Sequence, residues 1–151
     1  MRLTLSKTIR MKNVLAVTLL IIVSSLESVA NWRAEQSNPP IWAVKGEVLV
    51  TNRLDVDFSK YMVTFIELGA DRCIPCKKMQ PIMKEIAAAF PDRVQVVFYD
   101  VWKDPTPAEK YGIQLIPTQV FLDQKGKEIA RHVGLFPKEE ILELLKKHGV
   151  R

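Results

Sequence analysis

Apolar positions along the chain change their period several times, and each change marks an element. Met62 to Leu68 (MVTFIEL) is a near-continuous apolar run rich in β-forming residues, the pattern of a strand buried on both faces. From Cys76 to Phe90 the period becomes helical, with Met79, Ile82, Met83, Ile86 and Phe90 on one stripe. Pro81 sits inside that stripe and is expected to kink the helix, and Pro91-Asp92 stops it. Val94 to Tyr99 (VQVVFY) is the next strand. Pro105 to Tyr111 suits a short helix, with Asp104 as N-cap, a proline just inside and Gly112 at its end. Thr118 to Leu122, the turn Asp123 to Gly126 and the return strand Lys127 to Val133 form a hairpin, which Gly134 breaks. Pro137 to His148 is an amphipathic helix carrying Ile141, Leu142, Leu144 and Leu145. Upstream, Glu47 to Thr51 (EVLVT) reads as a first strand, and Asn52 to Lys60 fits either a loop or a short helix. This order implies an α/β domain with a central mixed sheet and helices on both faces.

The first 30 residues do not belong to that pattern. Arg2, Lys7, Arg10 and Lys12 form a positive head, and the apolar run Val14 to Val23 follows it. Ser24 and Ser25 end the run, and Ser28-Val29-Ala30 places small residues where a signal peptidase reads them. The three-part order is that of a secretory signal, expected to be cleaved between Ala30 and Asn31. Translation from Met11 would still leave head enough in Met11-Lys12-Asn13. The alternative is an uncleaved anchor, for which the apolar run is short against the roughly 20 residues of a membrane span. No cysteine follows the run to take a lipid. Residues 31–45, with Asn38-Pro39-Pro40, read as an extended lead-in, on which Trp32 and Trp42 have packing roles. The folded domain is then expected over 46–151, in the periplasm or another extracytoplasmic space where disulfides persist.

Composition narrows the function. The chain has 151 residues, 48% hydrophobic and 26% charged, which excludes a disordered or collagen-like chain. The net charge of +5 at first points toward nucleic acid. Removing residues 1–30 leaves 18 basic against 16 acidic residues and no dense basic stripe, so no nucleic-acid partner is expected.

Only two cysteines occur, as Cys73-Ile74-Pro75-Cys76, between the buried strand and the helix. A helix start presents unpaired N–H groups and partial positive charge, which stabilises a thiolate there. Cys73 at the exposed edge is the expected nucleophile. Cys76, one turn inside, is placed to displace whatever Cys73 captures. Pro75 stiffens the loop and withholds a donor. A structural disulfide closes too short a ring to constrain much chain. A metal site would need more ligands than His132 and His148 supply, and an inert thiol pair is the remaining alternative. Glu67 is the other anomaly: a lone charge in a buried strand, costly unless protonated. A raised pKa suits a general base for Cys76; otherwise Glu67 sits at a strand end and reaches solvent.

From Val63 to Leu145 the chain resembles thioredoxin. The resemblance rests on Cys-X-X-Cys-Lys at Cys73 to Lys77, on Pro81 five residues after Cys76, and on Tyr111-Gly112-Ile113 leading into Ile116-Pro117-Thr118, with Pro117 41 residues after Cys76. The turn at Asp123 to Gly126 and Gly134 add to it. It implies the thioredoxin-like fold, a cis peptide at Ile116-Pro117 facing the sulfurs, and a client bound along Ile116, Pro117 and Thr118 and over Ile74 and Pro75. It implies a deprotonating role toward Cys76 for the acid at Glu67. The chain departs from the family where Gly69 and Arg72 replace flanking tryptophans, and where Phe98 replaces the lysine that pairs with the buried acid.

The same resemblance implies thiol–disulfide exchange with no cofactor beyond the Cys73–Cys76 disulfide and no metal. The span from Cys76 to Pro117 leaves no room for the helical insertion of DsbA-type oxidants, and no histidine lies between the cysteines. The expected activity is therefore reduction of disulfides in exported client proteins, apocytochrome c among the candidates, by a monomer fed by a DsbD- or CcdA-type membrane thiol carrier. An oxidase, an isomerase, a non-catalytic binding module and a metal carrier are the alternatives.

Overall fold

A computed structural model describes residues 45–151. The expected signal over 1–30 and the lead-in over 31–45, Trp32 and Trp42 included, lie outside the described residues save for Lys45. Five strands form one sheet in the order β1-β3-β2-β4-β5. They are β1 Val48–Val50, β2 Val63–Gly69, β3 Val94–Asp100, β4 Thr118–Asp123 and β5 Glu128–Val133. The helices are α1 Ile74–Ala89, α2 Thr106–Lys110 and α3 Lys138–Lys147. β1, β3 and β2 run parallel, while β4 and β5 are antiparallel, so the sheet is mixed.

Every residue of β2 and β3 is buried, as strands covered on both faces require. One face packs Phe65, Phe98 and Phe121 against Met79, Met83 and Ile86 of α1 and Ile141 and Leu145 of α3. On the other face Ile66, Leu68, Val97 and Tyr99 meet Val56, Ala108 and Tyr111. Segment 52–60, which fits loop or helix by pattern, is neither helix nor strand; it covers this second face through Leu54, Val56 and Phe58. At α2 the Asp104 carboxylate accepts the Thr106 N–H at 2.9 Å, and the helix begins after Pro105, one residue later than the sequence suggests.

This arrangement places the C-terminal ends of β2 and β3 side by side, with Gly69 opposite Asp100. The loop into α1 leaves the sheet at that edge. The approach to β4 arrives there too, since Leu68 pairs with Thr118. The two cysteines and the Ile116-Pro117 turn therefore share one end of the sheet.

Candidate active site

Helix α1 begins two residues earlier than its apolar stripe, at Ile74, and that shift defines the site. Cys73 becomes the N-cap, with extended backbone (φ −79°, ψ 118°), and its Sγ accepts the Cys76 N–H at 3.3 Å. A sulfur at this position receives one of the orphan donors of the first helical turn and feels the positive end of the helix. Pro75, in the first turn, has no N–H to satisfy. Cys73 and Cys76 are joined by a disulfide, their Cα atoms 5.2 Å apart. Cys73 is 7% exposed and Cys76 not at all, so the sulfur that meets an incoming thiol is that of Cys73. Ile74 is 71% exposed and Pro75 is exposed beside it, forming an apolar rim.

Across from the disulfide, Ile116 packs against the cluster of Ala70, Cys73 and Cys76. The Ile116–Pro117 peptide is cis. Thr118 is buried, and its hydroxyl donates to the Leu115 carbonyl at 2.7 Å, bracing the turn. The Pro117 carbonyl accepts the Gly134 N–H at 2.8 Å, which ties the turn to the end of β5. Among the described residues none hydrogen-bonds to the Ile116 backbone.

Gly69 explains how Cys76 fits under α1. A Cβ at Gly69 would fall 3.2 Å from both Cβ and Sγ of Cys76 and 3.1 Å from the Phe98 ring. The ring at Phe98 and the missing side chain at Gly69 are therefore two halves of one packing solution. Alternation along β2 puts Glu67 on the same face as Gly69 and Phe65, beneath α1.

Glu67 does not reach solvent; it is fully buried. Its register partners are Phe98 on β3 and Gln119 on β4. Gln119 Nε2 donates to Glu67 Oε2 at 2.9 Å, while Glu67 Oε1 has no hydrogen-bond partner. Burial pushes the Glu67 carboxyl up to about 8, against the pull of the Gln119 hydrogen bond. The acid is thus held mostly protonated at neutral pH, with no cation beside it among the described residues. Gln119 carries no role in the sequence reading, yet its signal was the same as that of Glu67: a polar side chain inside an apolar strand, Thr118-Gln119-Val120-Phe121-Leu122.

A second buried acid stands one strand away. Asp100 accepts the backbone N–H of Trp102 at 3.1 Å and pairs with Lys103 Nζ at 3.0 Å. Lys103 also bridges to Asp71 in the loop that leads to Cys73. Val101 N–H donates to the Gly69 carbonyl at 2.9 Å, so the two loops at this edge are fastened together. Among the described residues no three His, Cys, Asp or Glu side chains gather as a metal site, and no helix is long and apolar enough to cross a membrane.

Comparison with known proteins agrees with the site. The family model described as Thioredoxin matches residues 48–147. A thioredoxin of Chlamydia trachomatis is 37% identical over 86 residues, covering 57% of this chain and 82% of that protein. One from Staphylococcus aureus is 33% identical over 97 residues, 62% of this chain and 92% of its own length. Among solved structures, a mutant thioredoxin from Halobacterium salinarum superposes with a TM-score of 0.63 at 26% identity, over 70% of this chain and 94% of that one. With a disulfide-bonded cysteine pair at the start of α1, on the sheet these relatives share, the chain belongs to the thioredoxin family and is a protein-disulfide oxidoreductase.

Proposed function

We propose that this oxidoreductase is exported and acts there, as a monomer, to reduce disulfides in client proteins. Support for export comes from the order of charged head, apolar run and small residues over 1–30. Direction of electron flow rests on one observation. The support for a Cys73 thiolate is a single backbone N–H and the helix end, with no imidazole between the cysteines. A thiolate with modest stabilisation belongs to a dithiol that gives up electrons readily.

The cycle starts when a membrane thiol carrier of the DsbD or CcdA type reduces the Cys73–Cys76 disulfide. The Cys73 thiolate attacks a client disulfide, which releases one client thiolate and leaves a Cys73–client bond. The Ile116 backbone and the exposed Ile74-Pro75 rim hold the client chain. Cys76 loses its proton to Glu67 and attacks Cys73 Sγ. The second client thiolate leaves, and the Cys73–Cys76 disulfide is restored. Apocytochrome c, whose haem-binding thiols must be reduced, is a client of the right chemistry.

Redox titration tests the direction. The couple is expected close to the roughly −270 mV of cytosolic thioredoxin. A value near the roughly −120 mV of DsbA would make the protein an oxidant instead.

A further inference from the structure

The Glu67–Gln119 pair is a polar island in an aromatic layer. Phe65 and Phe121 stack at 4.8 Å just below it, and Phe98 lies on its other side. Both residues are fully buried. A pair of this kind is replaceable by apolar groups at little cost to stability, so packing does not explain it. Its connections do. Gln119 Nε2 has two hydrogens and uses both, one on Glu67 Oε2 at 2.9 Å and one on the Gly134 carbonyl at 3.0 Å. Gly134 in turn donates to the Pro117 carbonyl. Hydrogen bonds joined through the backbone of Gly134 thus link the buried acid to the turn that faces the disulfide.

We propose that Gln119 is the positioning residue of this acid: a neutral amide that holds the Glu67 carboxyl on the α1 side of the sheet, anchors it to the Pro117–Gly134 rim, and helps set when it takes the Cys76 proton. The proposal rests on the Cys76-deprotonating role given to Glu67 above. In the resolving step the Cys76 S–H proton passes to the Glu67 carboxylate. The Cys76 thiolate then forms the bond to Cys73 Sγ as the Cys73–client bond breaks and the client leaves as a thiolate. The acid ends protonated in the oxidised protein, where burial favours its neutral form. Gln119 donates to the carboxylate, so it works against burial and keeps a usable fraction of base near neutral pH.

Among the described residues, the surroundings contain little else that titrates. β3 contributes Phe98, and α1 contributes Cys76 and Met79. α3 contributes Ile141 and Leu145. From β5, His132 stands opposite Gln119, its ring stacked on Phe136 at 4.0 Å and its Nε2 3.3 Å from the Leu135 carbonyl.

Two measurements test the assignment. In oxidised wild-type protein, the side-chain amide resonances of Gln119 should shift with the midpoint of the Glu67 carboxyl carbon. Amide shifts that stay flat through that titration, or follow a different midpoint, would overturn it. In stopped-flow kinetics of mixed-disulfide resolution, Gln119→Met should slow the step about tenfold at pH 7 and displace its pH profile upward by about one unit. In a Glu67→Gln background the same substitution should add nothing. An equal slowing in both backgrounds would mean a packing defect and would sink the proposal. If Glu67→Gln alone leaves resolution unchanged, the base role of Glu67 fails, while the resonance titration still decides whether Gln119 holds the acid.

Discussion

Glu67 and Asp100 are both buried carboxylates at the same edge of one sheet, on neighbouring strands, and they are held in opposite states. Asp100 has Lys103 beside it and two backbone N–H groups, of Trp102 and Lys103, aimed at its oxygen. Burial pushes its carboxyl up, but these donors outweigh it and hold the group below the usual carboxylate range. Glu67 meets a phenyl ring on one side and a single amide on the other. There burial wins, and the carboxyl rises to about 8. Depth and donors act together: Glu67 lies deeper with one neutral donor, while Asp100 lies at the strand end beside a cation and two N–H groups. Asp100 fastens the active-site loops, and Glu67 is the acid to which the proton-transfer role is proposed.

The largest expected consequence is in stability. Between the ordinary glutamate value of 4.5 and about 8, folded Glu67 keeps a proton that the unfolded chain has released. Its contribution is complete below pH 4.5 and is lost as pH rises to 8, by up to about 5 kcal/mol. Urea unfolding should show this fall in the wild type. Glu67→Gln, which mimics the protonated acid, should largely flatten it. A wild-type curve that rises over the same range would break the contrast between the two acids.

Next in size is Phe98→Lys, which would give Glu67 the kind of neighbour that Asp100 has. The lost ring should cost about 3 kcal/mol. The Glu67 carboxyl carbon should then titrate below pH 7 in a 13C NMR series; a midpoint still near 8 would show that the cation on β3 is irrelevant. The smallest effect is expected from Asp100→Asn, about 1 kcal/mol of stability at pH 7. Asp100 is held below its ordinary value, so its contribution is present above pH 3.8 and disappears as pH falls further. The difference between variant and wild type should close in acid.

The strands, the long helix and the hairpin were legible because each carries its own periodicity. Met62 to Leu68 and Val94 to Tyr99 read as doubly covered strands, and they are the two central strands that are buried throughout. The cysteine pair was legible because its spacing and its position before a helix are local facts. Glu67 stood out as a charge in an apolar run, and its burial follows. Gln119 carried the same signal but not its meaning, since its partner is 52 residues away and the β2–β4 register sets the contact. The dependence of Cys76 on an empty Cβ at Gly69, and of Gly69 on the Phe98 ring, is likewise a property of three elements packed together. Segment 52–60 has no period because it follows the surface of the sheet, burying Val56 without forming a helix or strand.

Exchange at this site requires Cys73 to be an activated thiolate at the helix start, with Cys76 shielded beneath it. Alkylation of the fully reduced protein across pH, mapped residue by residue, measures this directly. Cys73 should react with a midpoint below the roughly 8.5 of a free thiol, well ahead of Cys76. Reactivity of Cys73 at pH 7 no greater than that of free cysteine would contradict it.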